Sequence, residues 1–269
     1  MTGVIISLSG GVGSWMAGRR WIDRNGTDDV VAVFADTKIE DPDLYRFLDD
    51  CERDLNVPLH RISEGRNPWE VFRDVRLIGN TRADPCSRVL KREMLHKWVE
   101  GFSAGEPCKV LVGVDFTESH RLPAIEGAWA EAGHEVVAPL TWRRELHKDD
   151  SIAALQDRGI KPPSAYAEGF PHNNCGGFCV KAGQAQFALL LKTHPDRYKW
   201  HEDQEQETRV HLGRDDVAIL RDRRGGDTKP MTMREFRERV EVTGEFDGAD
   251  WGAACSCIAP SLPWGDGQV

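Results

Sequence analysis

Val4-Ile5-Ile6-Ser7-Leu8-Ser9-Gly10-Gly11-Val12-Gly13-Ser14 is the stretch that decides how this chain folds. The apolar run from Val4 to Leu8 is the pattern of a buried strand, and the glycines after it mark a tight turn into a helix. Glycines let the backbone turn sharply and bring several N–H groups close to one anion, while the N-terminus of the following helix favours negative charge. The expected occupant is a phosphate, cradled by Ser9, Gly10, Gly11, Gly13 and Ser14. The plain alternative is a strand-to-helix glycine turn with no ligand.

The segments around this turn repeat its grammar up to about residue 115. Val30 to Ala35 is a β-rich run ending at Asp36-Thr37. Asp41-Pro42 then opens a helix as cap and first-turn proline, with Leu44, Phe47, Leu48, Cys51 and Leu55 on one face. A strand is expected at Leu59 to Ile62, a helix from Ser87 to Val99, and a strand from Lys109 to Val114. Strands alternating with helices predict an α/β fold with a mostly parallel, doubly wound sheet. Ligands then bind at the carboxyl ends of its strands, where both Ser9 to Ser14 and Asp36-Thr37 fall.

From about Asp149 the pattern changes. A capped helix at Ser151 to Asp157 leads to the Pro162-Pro163 loop and the polar segment Pro171 to Cys179. A helix over Gln184 to Leu191, a charged helix after Pro195, a strand at Val217 to Leu220 and a helix at Met233 to Val240 follow. Asp247 to Val269 has little periodicity. The expected division is a nucleotide-binding domain over 1–148 and a smaller, cysteine-rich region over 149–269.

With 269 residues, 40% hydrophobic and 29% charged, the composition is that of an ordinary globular protein, and no apolar run approaches a membrane span. The start lacks a leader pattern, so a cytoplasmic protein without membrane association is expected. A net charge of −9 argues against indiscriminate nucleic-acid binding, although a nucleic acid remains open as a substrate. The basic groups Arg88, Lys91 and Arg92, Arg143-Arg144 with Lys148, and Arg221, Arg223 and Arg224 read as local faces.

Seven cysteines in such a chain point to thiol chemistry or metal binding. Cys175 and Cys179 form a CxxxC, and Cys255 and Cys257 a CxC. Four thiolates suit zinc or an iron–sulfur cluster, and a spacing looser than paired CxxC favours the cluster, with Zn2+ as the alternative. Cys86 precedes a helix and is flanked by Arg82, Arg88 and Lys91, which predicts a lowered thiol pKa. It reads as a nucleophile, a sulfur carrier, a cluster ligand or a half-buried cysteine. Cys51 is expected in the core, and His60, His96 and His134 as structural residues.

The glycine turn fits neither a Walker A loop, which needs Lys-Ser or Lys-Thr where Ser14-Trp15 stands, nor a dinucleotide fingerprint, whose third glycine is Met16 here. It resembles the PP-loop, Ser-Gly-Gly-x-x-Ser, of the ATP pyrophosphatases and phosphoadenosine phosphosulfate reductases, the adenine nucleotide alpha hydrolase-like superfamily. Gly13 stands where many members have Asp. Arg82 to Lys91 resembles the Arg-x-x-Cys-Thr-x-x-Leu-Lys stretch of reductase-like members, with Ser87 for Thr and one extra residue after Arg82. Gly113 to Arg121 resembles their Gly-x-x-x-x-Glu-x-x-Arg stretch, and the Glu-Cys-Gly-Leu-His tail of true reductases is missing.

The resemblance implies an enzyme of the iron–sulfur-containing branch. It binds ATP or a related adenine nucleotide with Mg2+, adenylates a substrate with pyrophosphate release, and supports sulfur transfer beside a [4Fe-4S] cluster. Asp36 and Thr37 are then nucleotide contacts, Cys86, Arg82, Lys91 and Arg121 catalytic groups, and Cys175, Cys179, Cys255 and Cys257 cluster ligands. Arg121 faces phosphate, and Glu118 a metal, a hydroxyl or a neighbouring Arg. A sulfonucleotide reductase and a non-catalytic nucleotide- and metal-binding module stay open, as do the sulfur donor, the acceptor and the oligomeric state.

Overall fold

The computed structural model describes residues 3–80, 83–142 and 146–252. At its centre lies strand β1 (Val4–Ser7), buried along its whole length. β2 (Val30–Asp36) pairs with it on one side, and β3 (Leu59–Ser63) lies beyond β2. On the other side come β4 (Lys109–Leu111) and then β5 (Glu135–Val137). All four pairings are parallel, giving the order β3-β2-β1-β4-β5. The chain moves outward from β1 to β3 and then returns to the opposite side of β1. Such a reversal opens a crevice between β1 and β4 at their carboxyl ends, the place where doubly wound sheets bind ligands.

Side chains alternate between two apolar layers because successive strand residues face opposite ways. Val4 and Ile6 pack with helices α1 (Val12–Asn25) and α2 (Pro42–Leu55). Ile5 packs on the opposite face with Leu95, Val99, Ile125 and Trp129. α2 starts where its sequence says: Asp41 caps it by accepting from the Asp43 amide at 2.8 Å, and its five expected apolar residues are buried. α3 (Pro68–Asp74) is closed by a capping box between Asn67 and Glu70. α4 (Pro85–Ser87) runs through a π-helical stretch, Arg88–Glu93, into α5 (Met94–Ser103). α6 (Leu122–Glu131) precedes β5.

The later residues pack on this frame. α7 (Lys148–Asp157) lies against α1, and Leu155 joins the core of α1 and α2. α8 (Ser164–Ala167) follows, and then α9 (Gln184–Thr193) and α10 (Pro195–Leu212). An antiparallel pair, β6 (Leu220–Asp222) with β7 (Lys229–Met231), and α11 (Met233–Thr243) are the last elements among the described residues. These elements share a third core in which Trp69 and Phe72 of α3 meet Phe178, Phe187, Tyr198 and Phe236.

Several boundaries differ from the sequence expectation, among them that of α7, which begins at Lys148 and not at Ser151. The strand expected at 217–220 sits at Leu220–Asp222, where β7 supplies a partner. The one expected over 109–114 ends as a strand at Leu111, before Gly113 turns against α1. The helix expected from Ser87 begins at Pro85 and contains the π stretch. Among the described residues no helix is long and apolar enough to cross a membrane.

Candidate functional site: a glycine-loop cavity beside a thiol pocket

The loop after β1 is held open by its own serines. The Ser14 hydroxyl donates to the Gly11 carbonyl at 2.8 Å and accepts from the Ser9 amide at 3.1 Å. Gly10 has φ +81°, and a Cβ there would stand 2.6 Å from Leu44 Cδ1, so glycine is required twice over. Gly13 approaches the end of β4 so closely that a Cβ would lie 3.2 Å from the Gly113 carbonyl oxygen.

This turn forms one wall of a cavity of about 400 Å3 at the β1/β4 crevice. Gly113, Asp115, Glu118 and Arg121 form the second wall, and Lys148, Tyr166, His172 and Asn173 the third. Arg121 pairs with Glu118 at 2.5 Å, so the expected cation does face the loop, with a carboxylate attached. The polar segment after residue 170 clamps the loop. The Asn173 side-chain amide donates to the Gly10 carbonyl at 2.8 Å, and that of Asn174, turned so that its nitrogen donates, reaches the Ser9 carbonyl at 3.0 Å.

Asp36 and Thr37 lie outside this cavity. The Asp36 carboxylate accepts from the Tyr45 hydroxyl at 2.9 Å and the Lys38 amide at 2.8 Å. The Thr37 hydroxyl donates to Glu40 at 2.8 Å, and Thr37 faces a second, smaller pocket.

That second pocket, about 30 Å3, brings together Cys86, Cys175, Cys179 and Lys91. Lys91 Nζ is 3.8 Å from Cys175 Sγ and 3.5 Å from Glu40 Oε1. The Glu40 side chain is fully buried and also accepts from the Cys175 amide. A buried ammonium and carboxylate persist only as a pair, so Glu40 is what allows Lys91 to point inward. Burial works to lower the Lys91 pKa, but Cys175 and Glu40 outweigh it and raise it.

The lowered pKa expected for Cys86 is overturned. Burial, together with neighbouring Cys175 and Cys179, pushes its thiol well above the ordinary value. Of the basic residues thought to lower it, Arg82 lies outside the described residues, Arg88 reaches toward Glu93 at 3.7 Å, and Lys91 shares the pocket with the sulfur. Burial likewise pushes Cys175 up to about 12 and raises Cys179.

Cys255 and Cys257 lie outside the described residues. Among the described residues no three His, Cys, Asp or Glu side chains stand at metal-binding spacing. Gly252, three residues before Cys255, forms an antiparallel bridge with Ala182, three residues after Cys179. Asp250 fixes that approach by accepting from the Ala185 amide at 2.9 Å and pairing with Arg223 at 3.2 Å.

Cys51, Cys108, His60, His96 and His134 are structural. Cys51 is in the core, and Cys108 Sγ is 3.1 Å from His134 Nδ1. His96 stacks on Trp129 and His60 packs on Trp98. Sequence reasoning missed Glu40, Lys148, Tyr166 and Asn173 as site residues, because each acts across a large sequence separation. The one visible signal was the polar composition of Pro171 to Asn174.

No family model and no curated protein matches the sequence. Among solved structures, the chain is similar to phosphoadenylyl-sulfate (PAPS) reductase from Candida auris in its phosphate complex. The TM-score is 0.44 at 15% identity, covering 63% of this chain and 79% of the other. It is also similar to the NH3-dependent NAD synthetase from Campylobacter jejuni subsp. jejuni NCTC 11168 in complex with nitrate, at TM-score 0.39 and 14% identity, covering 78% and 84%.

Proposed function

We propose that this chain is a PP-loop enzyme that adenylates a substrate with release of pyrophosphate and directs sulfur transfer to it from the thiol pocket. The observation that carries this reading is the segment Pro171 to Cys179. Its first residues wall the glycine-loop cavity, and its cysteines line the thiol pocket. A nucleotide-activating site and a sulfur site thus share one stretch of backbone.

The N–H groups of the loop and the start of α1 favour phosphate oxygens. An acceptor oxygen attacks the α-phosphorus, the bond to the bridging α–β oxygen breaks, and pyrophosphate leaves with the electron pair. Arg121 and Lys148 line the same cavity, and cations fixed beside a leaving group lower the barrier. Asp115 and Glu118 offer oxygen ligands of the kind magnesium prefers.

The thiol pocket fits a thiolate-ligated metal group by the chemistry of its donors. Cys86, Cys175 and Cys179 line one pocket beside a buried ammonium that offsets thiolate charge, although no three donors among the described residues stand at metal-binding spacing. Cys86, Cys175 and Cys179, completed by Cys255 or Cys257, would hold a [4Fe-4S] cluster, or zinc in its place. The Gly252–Ala182 bridge brings the described end of the chain beside the residues that follow Cys179. When bound, a cluster supplies a redox centre and sulfide next to the activated substrate.

The test is metal analysis of protein purified without oxygen, together with ATP titration of the same sample. Iron and acid-labile sulfide in equal amounts, lost in Cys86→Ser and Cys175→Ser, are expected alongside ATP binding. Stoichiometric zinc without iron would replace the cluster, and neither metal nor ATP bound would sink the reading.

A further inference from the structure

Tyr166, on α8, comes from the second half of the chain yet reaches the glycine loop. The Val12 amide donates to its hydroxyl at 3.3 Å, and a Cβ on Gly11 would come within 3.3 Å of the same oxygen. A tyrosine hydroxyl has two lone pairs and one proton. The Val12 amide uses one lone pair, so the proton remains to be given, and among the described residues no acceptor takes it. Burial pushes the phenol up to about 12, which keeps that proton in place at neutral pH.

The ring is also fixed. It packs on the core formed by α1 and α2, and Lys148 Nζ sits 5.6 Å from its centroid while donating to the Pro171 carbonyl at 2.7 Å. The oxygen thus lines the cavity at a set position between loop and polar segment.

We propose that Tyr166 is a phosphate-binding residue, its hydroxyl donating to an oxygen of the phosphoryl group cradled by the loop, with the Val12 amide orienting it. This deepens the nucleotide reading above and rests on it. Phosphate recognition is then divided between the two halves of the chain: backbone donors come from the loop after β1, and a side-chain donor comes from α8. A hydrogen bond to a charged oxygen is shorter and stronger than a neutral one, so its loss is readable in affinity.

Tyr166→Phe retains the ring and its packing, and removes only the hydroxyl. Calorimetric titration of parent and variant with inorganic pyrophosphate and with adenosine tests the assignment. The expected result is pyrophosphate binding weakened about tenfold or more in the variant, with adenosine affinity unchanged. Loss of both affinities together would mean that the hydroxyl only supports the fold of the loop, and would overturn the proposal. Equal or tighter pyrophosphate binding in the variant would overturn it too, since the hydroxyl would then be occupying a loop amide that phosphate needs. A parent protein that binds neither pyrophosphate nor ATP would instead remove the nucleotide reading, and this assignment with it.

Discussion

A Cβ on Gly113 would stand 2.5 Å from the Ser14 amide nitrogen and 2.7 Å from the Gly13 carbonyl carbon, both backbone atoms that cannot swing away. The end of β4 therefore touches the start of α1 directly, and this contact sets the width of the crevice. Gly113→Ala is expected to cost about 2–3 kcal/mol of stability, read by urea unfolding, as strain of this kind does in a packed core. An unchanged midpoint would contradict the close approach. The Lys91–Glu40 pair gives a second prediction at this scale. Lys91→Met leaves the buried Glu40 carboxylate uncompensated and is expected to cost about 3–5 kcal/mol, whereas Lys91→Met with Glu40→Gln recovers much of it. Additive losses would show that the two charges are independent. The loop residues were legible because glycine at a strand-to-helix turn has a local reason. Glu40 and Tyr166 were not, because their roles depend on Cys175 and Val12, far away in sequence. The direction of the Cys86 shift was misread because flanking charge is visible in a sequence and burial beside two other thiols is not.

Helix α2 shows what an element must have to be read in advance: a capping Asp, a first-turn proline and a complete apolar face. β5 and β7 have only three residues each, too short for any periodicity, and exist because a neighbouring strand pairs with them. The π stretch Arg88–Glu93 is equally silent in sequence, yet it lies where Cys86 and Lys91 are turned into the thiol pocket, and such segments recur at functional sites. α10 carries a prediction of its own. The buried Glu202 side chain meets Arg237 at 2.7 Å, Lys199 at 3.1 Å and Arg234 at 3.2 Å. Burial acts to raise its pKa, but these hydrogen bonds outweigh it and hold the carboxyl down at about 2, against 4.5 ordinarily. A depressed carboxylate stabilises the fold above its unfolded pKa and loses that contribution as pH falls toward the folded one. Glu202→Gln is therefore expected to be less stable than the parent by about 2 kcal/mol at neutral pH. The gap should narrow by more than half between about pH 5 and about pH 3 in urea unfolding. A gap independent of pH would contradict the ion-pair account.

Across the whole molecule, the doubly wound sheet was legible because every strand–helix unit up to residue 115 repeats one pattern, and the crevice follows from the reversal at β1. What the sequence did not disclose is the fold-back of the second half. α7 packs on α1, α10 packs on α3, and Asn173 and Tyr166 hold the loop that begins the chain. These contacts join positions more than a hundred residues apart, and no local pattern encodes them. They also make the cavity a product of both halves, so a nucleotide bound there should couple the two. The central claim is that adenine nucleotide phosphates sit on the Ser9–Ser14 loop. It is tested most directly by calorimetric titration of ATP into the parent and into Gly11→Val, whose side chain would grow into the Tyr166 hydroxyl and the Ser9 hydroxyl at the cavity wall. The account predicts binding to the parent that falls at least about tenfold in the variant while the fold, followed by circular dichroism, is retained. Equal ATP affinity in the two proteins would contradict it.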